Sequence, residues 1–174
     1  MSKTKKLTLA SVMAAMGVVF MLLGSVIEVM DLSVCALVSL IVVFVYLEVG
    51  VGHAWAVYLC TSLLSFLIVP AKLMCFEYLL MFGIYPLLKA FIEKLPRISW
   101  IFVKLVFVNA MIWLIFLVAE LWMGFIFLEG DTFILKAALY VFMNVTFVVY
   151  DIFITVMVRF YYDRIRPRIK RILK

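Results

Sequence analysis

The stretch SWIFVKLVFVNAMIWLIFLVAELWMGFIF, residues 99–127, decides the fold class of this protein. It runs for 29 residues and contains only two charged side chains, Lys104 and Glu120. An α-helix that crosses the hydrocarbon core of a bilayer needs about 20 mainly apolar residues. The stretch therefore predicts a membrane-spanning helix.

The rest of the chain repeats this pattern. Of its 174 residues, 69% are hydrophobic and 15% are charged, whereas soluble domains are about half apolar and about one quarter charged. We expect an all-α integral membrane protein whose bundle of six transmembrane helices forms a single domain over 1–160, followed by a basic amphipathic tail over 161–174. Apolar runs between charges and turn residues place the six spans near 7–27, 33–50, 53–70, 73–92, 99–127 and 133–160.

The basic residues indicate which side of the membrane each end occupies. Six spans put both termini on the same side, and cytoplasmic loops are enriched in lysine and arginine. A cytoplasmic N-terminus leaves only two of the 16 basic residues outside, Lys72 and Lys136. We therefore expect both termini in the cytoplasm, with the basic tail near anionic lipid headgroups and no role in nucleic-acid binding. The outer side then collects four acidic residues, Glu28, Asp31, Glu129 and Asp131.

Several function classes are excluded by the residue types that the chain lacks. The single histidine, His53, and three cysteines without a C-x-x-C motif predict neither a zinc site nor a redox site. No glycine-rich phosphate loop, H-E-x-x-H motif or Ser-His-Asp set can be assembled. We expect a protein that is not an enzyme, has no metal and no cofactor, and does not itself hydrolyse ATP.

Polar side chains inside the spans are the candidate binding residues. A charged group in a span costs roughly 2.5–3.5 kcal/mol on insertion scales, so each one is a site hypothesis. On the predicted topology, Glu77, Glu120, Lys136 and Asn144 lie in the outer halves of spans four to six. We expect them to converge on a pocket that opens to the outside.

Aromatic residues lie in the same layer as these polar groups. Tyr78 and Trp122 have ring faces that suit a small organic ligand. Two other interpretations stay open, because aromatic residues near span ends often form an interfacial belt, and intramembrane charges often pair with each other. In the second case, Glu77 and Glu120 would pair with Lys72 or Lys136.

Small residues follow one face of the first span. Ala10, Ala14, Gly17 and Gly24 are spaced so that another backbone can approach that face closely. The partner is either a different protein or another helix of the same chain. In span four, Gly83 and Pro86 predict a kink.

These features resemble the substrate-binding S components of energy-coupling factor (ECF) transporters. The resemblance lies in the opening KLTLASVMAA (Lys6 to Ala15), the six spans with both ends inside, and the acidic loop after span one. In that family an A-x-x-x-A face on the first helix docks against a transmembrane coupling subunit. The matching residues here are Ala10 and Ala14, and Gly17 extends the same face.

The resemblance implies a subunit in a bacterial plasma membrane that captures a vitamin-like micronutrient from outside. Its partners would be the coupling subunit and two ATPase subunits. The leading alternative is a membrane scaffold, similar in layout to the cell-shape protein MreD, whose polar residues serve helix packing or a protein partner. The substrate itself is not specified, and the expected binding residues are Glu28, Glu77, Tyr78, Glu120, Trp122, Lys136 and Asn144.

Overall fold

The computed structural model describes residues 2–27, 30–94, 96–123 and 133–167, and all of their side chains except those of 97, 98, 122, 123 and 133–136. Every regular element in these ranges is helical. Six helices within them are long and apolar enough to cross a membrane. The predicted all-α fold and the number of spans are confirmed.

The helices follow the predicted order with short connections. Gly50 has a φ of 119°, a left-handed conformation that glycine adopts readily, and it turns the chain between the second and third helices. The fourth span, Lys72–Ile92, is built from two α-helices joined by a π-helical segment. The α-helices are α1 (Lys3–Gly24), α2 (Asp31–Glu48), α3 (Val51–Ile68), α4 (Lys72–Glu77), α5 (Tyr85–Ile92), α6 (Arg97–Met123) and α7 (Phe133–Phe160).

The chain divides into two compact units, Met1–Asp131 and Thr132–Lys174. In the first unit, α1, α2 and α3 contact one another, α4 and α5 contact α2 and α3, and α6 contacts α4 and α5. In the second unit, α7 continues into a π-helical segment, Tyr161–Ile165. The last helix therefore extends into the residues predicted to form the basic tail.

The small-residue face of α1 lies against helices of the same chain. Ala14, Gly17 and Gly24 are buried, as is Ala10. A Cβ atom on Gly17 would lie 3.0 Å from Cγ2 of Thr61 in α3. The Thr61 hydroxyl donates a hydrogen bond to the Ala14 carbonyl oxygen at 3.5 Å. Of the two partners predicted for this face, the structure supplies the intrachain one.

The fourth span is irregular where Gly83 and Pro86 predict a kink. A π-helical segment, Tyr78–Phe82, follows α4, and the Gly83 N–H donates to the Tyr78 carbonyl oxygen at 2.7 Å. Pro86 has no N–H to donate to the preceding turn, so the regular series of α-helical hydrogen bonds is interrupted at this residue. Single π-helical turns inside α-helices are frequent at functional sites.

A set of charged side chains lies between α5 and α6. The Lys104 ammonium donates to Oε1 of Glu93 at 3.0 Å, and Nζ of Lys89 lies 3.4 Å from the same oxygen. Both lysines are buried, and Nζ of Lys104 also lies 4.3 Å from the ring centroid of Trp100. This arrangement explains how span five accommodates a lysine.

Large apolar side chains cover the outside of the spans. Leu67 in α3, Phe102 and Trp113 in α6, and Phe142 in α7 are all more than half exposed. An exterior of this kind is unsuited to water and suits the acyl chains of lipids. The protein thus has the helices and the surface of a multi-pass membrane protein.

Candidate functional site

Buried polar side chains meet where α2 and α4 begin and α3 ends. The Cys35 thiol of α2 donates to the Met74 carbonyl oxygen of α4 at 3.7 Å. The Cys75 thiol of α4 donates to the Ser65 carbonyl oxygen of α3 at 3.5 Å. Through these two contacts, α4 packs against both α2 and α3 in one layer of the bundle. The Glu77 cluster is defined here as Asp31, Cys35, Ser65, Cys75, Glu77 and Tyr78.

The Glu77 cluster contains polar atoms that are buried without a hydrogen-bond partner. They include Oε2 of Glu77, the Tyr78 hydroxyl and the Ser65 hydroxyl. Tyr78 and Ser65 are 0% exposed, and Glu77 is 9% exposed. The Tyr78 hydroxyl lies near the Thr61 side chain, a potential hydrogen-bond partner, but the two are not in hydrogen-bond geometry. A buried polar group left unsatisfied costs about 1–3 kcal/mol, so each such group calls for water, an ion or a ligand.

The carboxyl group of Glu77 has a like-charged neighbour. Asp31, half-buried at the start of α2, acts on it electrostatically, and both carboxyl groups act on the Cys35 thiol. Like charges that share a low-dielectric region repel each other. The site therefore favours a positively charged or proton-donating group.

Lys72, the basic residue nearest to Glu77 in the sequence, binds the end of α3 and does not pair with Glu77. Lys72 is within electrostatic range of Cys75, but its ammonium donates to the carbonyl oxygens of Phe66 at 2.6 Å and Val69 at 2.9 Å. These carbonyls belong to the C-terminal end of α3, where helices lack intrahelical donors. Lys72 thus caps α3, and the Lys72 ion pair considered for Glu77 is not formed.

Of the other predicted binding residues, the structure describes the side chains of two, Glu120 and Asn144. Glu120 is exposed on α6, so it does not share the buried site. Asn144 belongs to the second unit, where its side-chain amide donates to the Tyr140 carbonyl oxygen at 3.0 Å. Glu28 lies outside the described residues, and the side chains of Trp122 and Lys136 lie outside the described side chains.

Several residues of the Glu77 cluster were not among the predicted binding residues. Asp31 was assigned to a loop, and Cys35, Cys75 and Ser65 are polar groups that apolar spans tolerate. One signal could have found the α3 side: Tyr58, Thr61, Ser62 and Ser65 recur at the spacing of one helical face, and all four are buried. A polar stripe on an otherwise apolar span indicates a face turned towards other polar groups.

Metal binding is not supported by the described residues, which contain no group of three or more His, Cys, Asp or Glu side chains able to hold an ion. The Glu77 cluster instead offers a carboxylate and two hydroxyl groups. Carboxylates only accept hydrogen bonds, whereas hydroxyl groups accept and donate. Such a set can bind a polar group of a small molecule.

Comparison with known proteins found no matching family model, no similar curated protein and no similar solved structure. The chain is therefore classified by its fold alone, as an all-helical multi-pass membrane protein. The Glu77 cluster is the feature from which its function can be inferred.

Proposed function

We propose that this protein is the substrate-binding S component of an ECF-type importer. The observation that carries the proposal is the trio of unsatisfied buried groups on Ser65, Glu77 and Tyr78. A chain whose polar residues served only helix packing would satisfy them internally, because unpaired groups destabilise the bundle. Groups held in place without partners suit the capture of a small organic solute such as a vitamin-like micronutrient.

The orientation that we propose puts the Glu77 cluster in the outer half of the membrane. The positive-inside rule leaves only Lys72 and Lys136 outside among the 16 basic residues when both termini are cytoplasmic. In that orientation α2 and α4 begin at the outer side, where Glu77 follows Lys72 by about one and a half turns. A solute arriving from outside would therefore reach Glu77 after passing only the first turns of the fourth span.

The proposed partners are a transmembrane coupling subunit, two ATPase subunits and the lipids of a bacterial plasma membrane. Docking of the coupling subunit through Ala10, Ala14 and Gly17 stays a prediction. Ala10 is 5% exposed and Ala14 is 7% exposed, so both already contribute to packing inside the chain. A bulky residue at either position tests docking only when the stability of the isolated chain is measured as well.

Native mass spectrometry of the purified chain tests the proposed function directly. We expect a small organic molecule to remain bound to the wild-type protein and to be lost from Glu77→Gln. The control Asp163→Asn makes the same acid-to-amide change at an exposed residue and should retain the molecule. If the wild type carries nothing and no vitamin or nucleobase raises its melting temperature, the proposal is wrong and the scaffold function takes its place.

A further inference from the structure

The chemistry of the Glu77 cluster narrows the class of solute, and this inference rests on the proposed function. We propose that the solute carries a protonated amine, which binds between the Glu77 carboxylate and the Tyr78 hydroxyl. Its primary contact is the charge-assisted hydrogen bond from the ammonium group to Glu77.

Three hydrogen-bonding side chains in this part of the bundle already donate to backbone carbonyl oxygens. The thiols of Cys35 and Cys75 donate to backbone carbonyl oxygens, and the Lys72 ammonium donates to two carbonyl oxygens of α3. Oε2 of Glu77 remains an acceptor without a donor. An alkylammonium group supplies three N–H donors, which is the complement that this carboxylate lacks.

Charge points to the same class of ligand. Asp31 is the charged residue that acts electrostatically on Glu77, and it is acidic too. A solute that presented a carboxylate or phosphate here would be repelled by both residues, while a cation is attracted. Hydrogen bonds between an ammonium and a carboxylate are about twice as strong as those between neutral groups.

Two groups that are not acidic support the same site independently. The Tyr78 and Ser65 hydroxyls are fully buried and have no hydrogen-bond partner. A hydroxyl oxygen can accept an N–H from an ammonium group. The Tyr78 ring lies 6.4 Å from the ring of Tyr58, centroid to centroid, so two aromatic rings belong to this part of the bundle. Such rings attract cations and cover the apolar part of an amine.

A comparison of matched cations, each added separately to the full chain in lipid nanodiscs, tests this inference. Thermal unfolding is followed with methylammonium and phenethylammonium chloride, and with sodium and tetramethylammonium chloride at the same ionic strength. We expect the two primary amines to raise the melting temperature in a saturable manner. Tetramethylammonium has the charge but no N–H donors, and sodium has the charge alone, so neither should do so. The alcohol 2-phenylethanol has the shape of phenethylamine without its charge and should also have no effect.

Variants connect the effect to the named residues. We expect Glu77→Gln to weaken amine binding at least about tenfold and Tyr78→Phe to weaken it several-fold. Asp163→Asn, at an exposed position, should bind as the wild type does. Unfolding without ligand shows first that each variant is folded.

Three results would overturn the inference. They are an equal response to sodium or tetramethylammonium, an amine response that Glu77→Gln leaves unchanged, and no response to any amine. The proposed function fails separately. If the wild-type chain retains a solute that has no amine, only the inference about the amine is refuted. If the chain retains no solute, the proposed function is refuted as well.

Discussion

The Tyr58 hydroxyl of α3 donates a hydrogen bond to the Leu79 carbonyl oxygen of the fourth span, with 2.7 Å between the two oxygen atoms. In a regular α-helix this carbonyl would accept from the N–H of Gly83, four residues later. The Gly83 N–H instead donates to Tyr78, five residues earlier. A side chain from a neighbouring helix thus satisfies the carbonyl that the π-helical segment releases.

Removing this hydroxyl should destabilise the bundle. In Tyr58→Phe the ring remains, but the released Leu79 carbonyl loses its donor inside the protein. We expect a loss of about 1–2 kcal/mol in the free energy of unfolding, measured by denaturant titration in mild detergent. Tyr162→Phe removes a hydroxyl from an exposed tyrosine and should have little effect. Equal stability of the two variants would contradict the role assigned to the Tyr58 bond.

The close approach at Gly83 leads to a second prediction. A Cβ atom there would lie 2.7 Å from Cδ2 of Tyr58 and 2.9 Å from the Tyr78 carbonyl oxygen. The Tyr58 ring is held by its own hydrogen bond and the second contact is backbone, so neither can easily move. Gly83→Ala should therefore lower the free energy of unfolding by about 1–3 kcal/mol.

Gly52→Ala is the matched control for Gly83→Ala. A Cβ atom at Gly52 meets nothing within 4 Å, and the residue lies in the first turn of α3. Alanine is the better helix former by about 1 kcal/mol, so this change should leave stability unaltered or raise it. The same unfolding titration measures both variants. A destabilised Gly52→Ala beside an unaffected Gly83→Ala would refute the packing described for span four.

The contact between α1 and α2 can be tested by compensation. A Cβ atom on Gly24 would lie 2.8 Å from each of the two Cγ atoms of Val34. Gly24→Ala should destabilise the chain, and Val34→Ala should remove the methyl groups that it meets. We expect the double variant to be more stable than the sum of the single changes predicts, with a coupling of about 0.5–3 kcal/mol. Strict additivity would show that the two residues are not in contact.

Cysteine labelling in intact cells tests the proposed orientation. Cys60 is exposed and is first changed to serine, whereas Cys35 and Cys75 are buried and remain. A new cysteine then replaces Met30, which is exposed between α1 and α2, or Ser2, which is exposed before α1. A membrane-impermeant maleimide should label Met30→Cys in intact cells and Ser2→Cys only after permeabilisation. The reverse pattern would invert the topology and move the Glu77 cluster to the cytoplasmic half.

Hydropathy was sufficient to predict the six helices because each span is a long apolar run. It could not predict the hydrogen bonding of span four. Gly83 and Pro86 indicated a kink, but the donor that satisfies Leu79 comes from Tyr58, on a different helix. Contacts between helices of this kind depend on tertiary packing, which local sequence does not encode.

The candidate site was predicted in part. Glu77 and Tyr78 were identified because charged and aromatic groups in a span are conspicuous, and both are buried. Glu120 was grouped with Glu77 for the same reason, yet it is exposed. Helix α6 is apolar on nearly every side, so its sequence does not determine which side turns towards the other helices. Ser65 was overlooked because a serine can bond within its own helix and is common in spans.

The close packing of α1 against α2 and α3 has a consequence for biosynthesis. Gly17 approaches Val38 and Thr61, and Gly24 approaches Val34, so these contacts need nothing beyond the third span. Spans leave the ribosome in order, and domains begin to fold before translation ends. The first three helices can therefore associate while the fourth is still being made. When Glu77 enters the membrane, the surfaces of α2 and α3 that receive it are already in place.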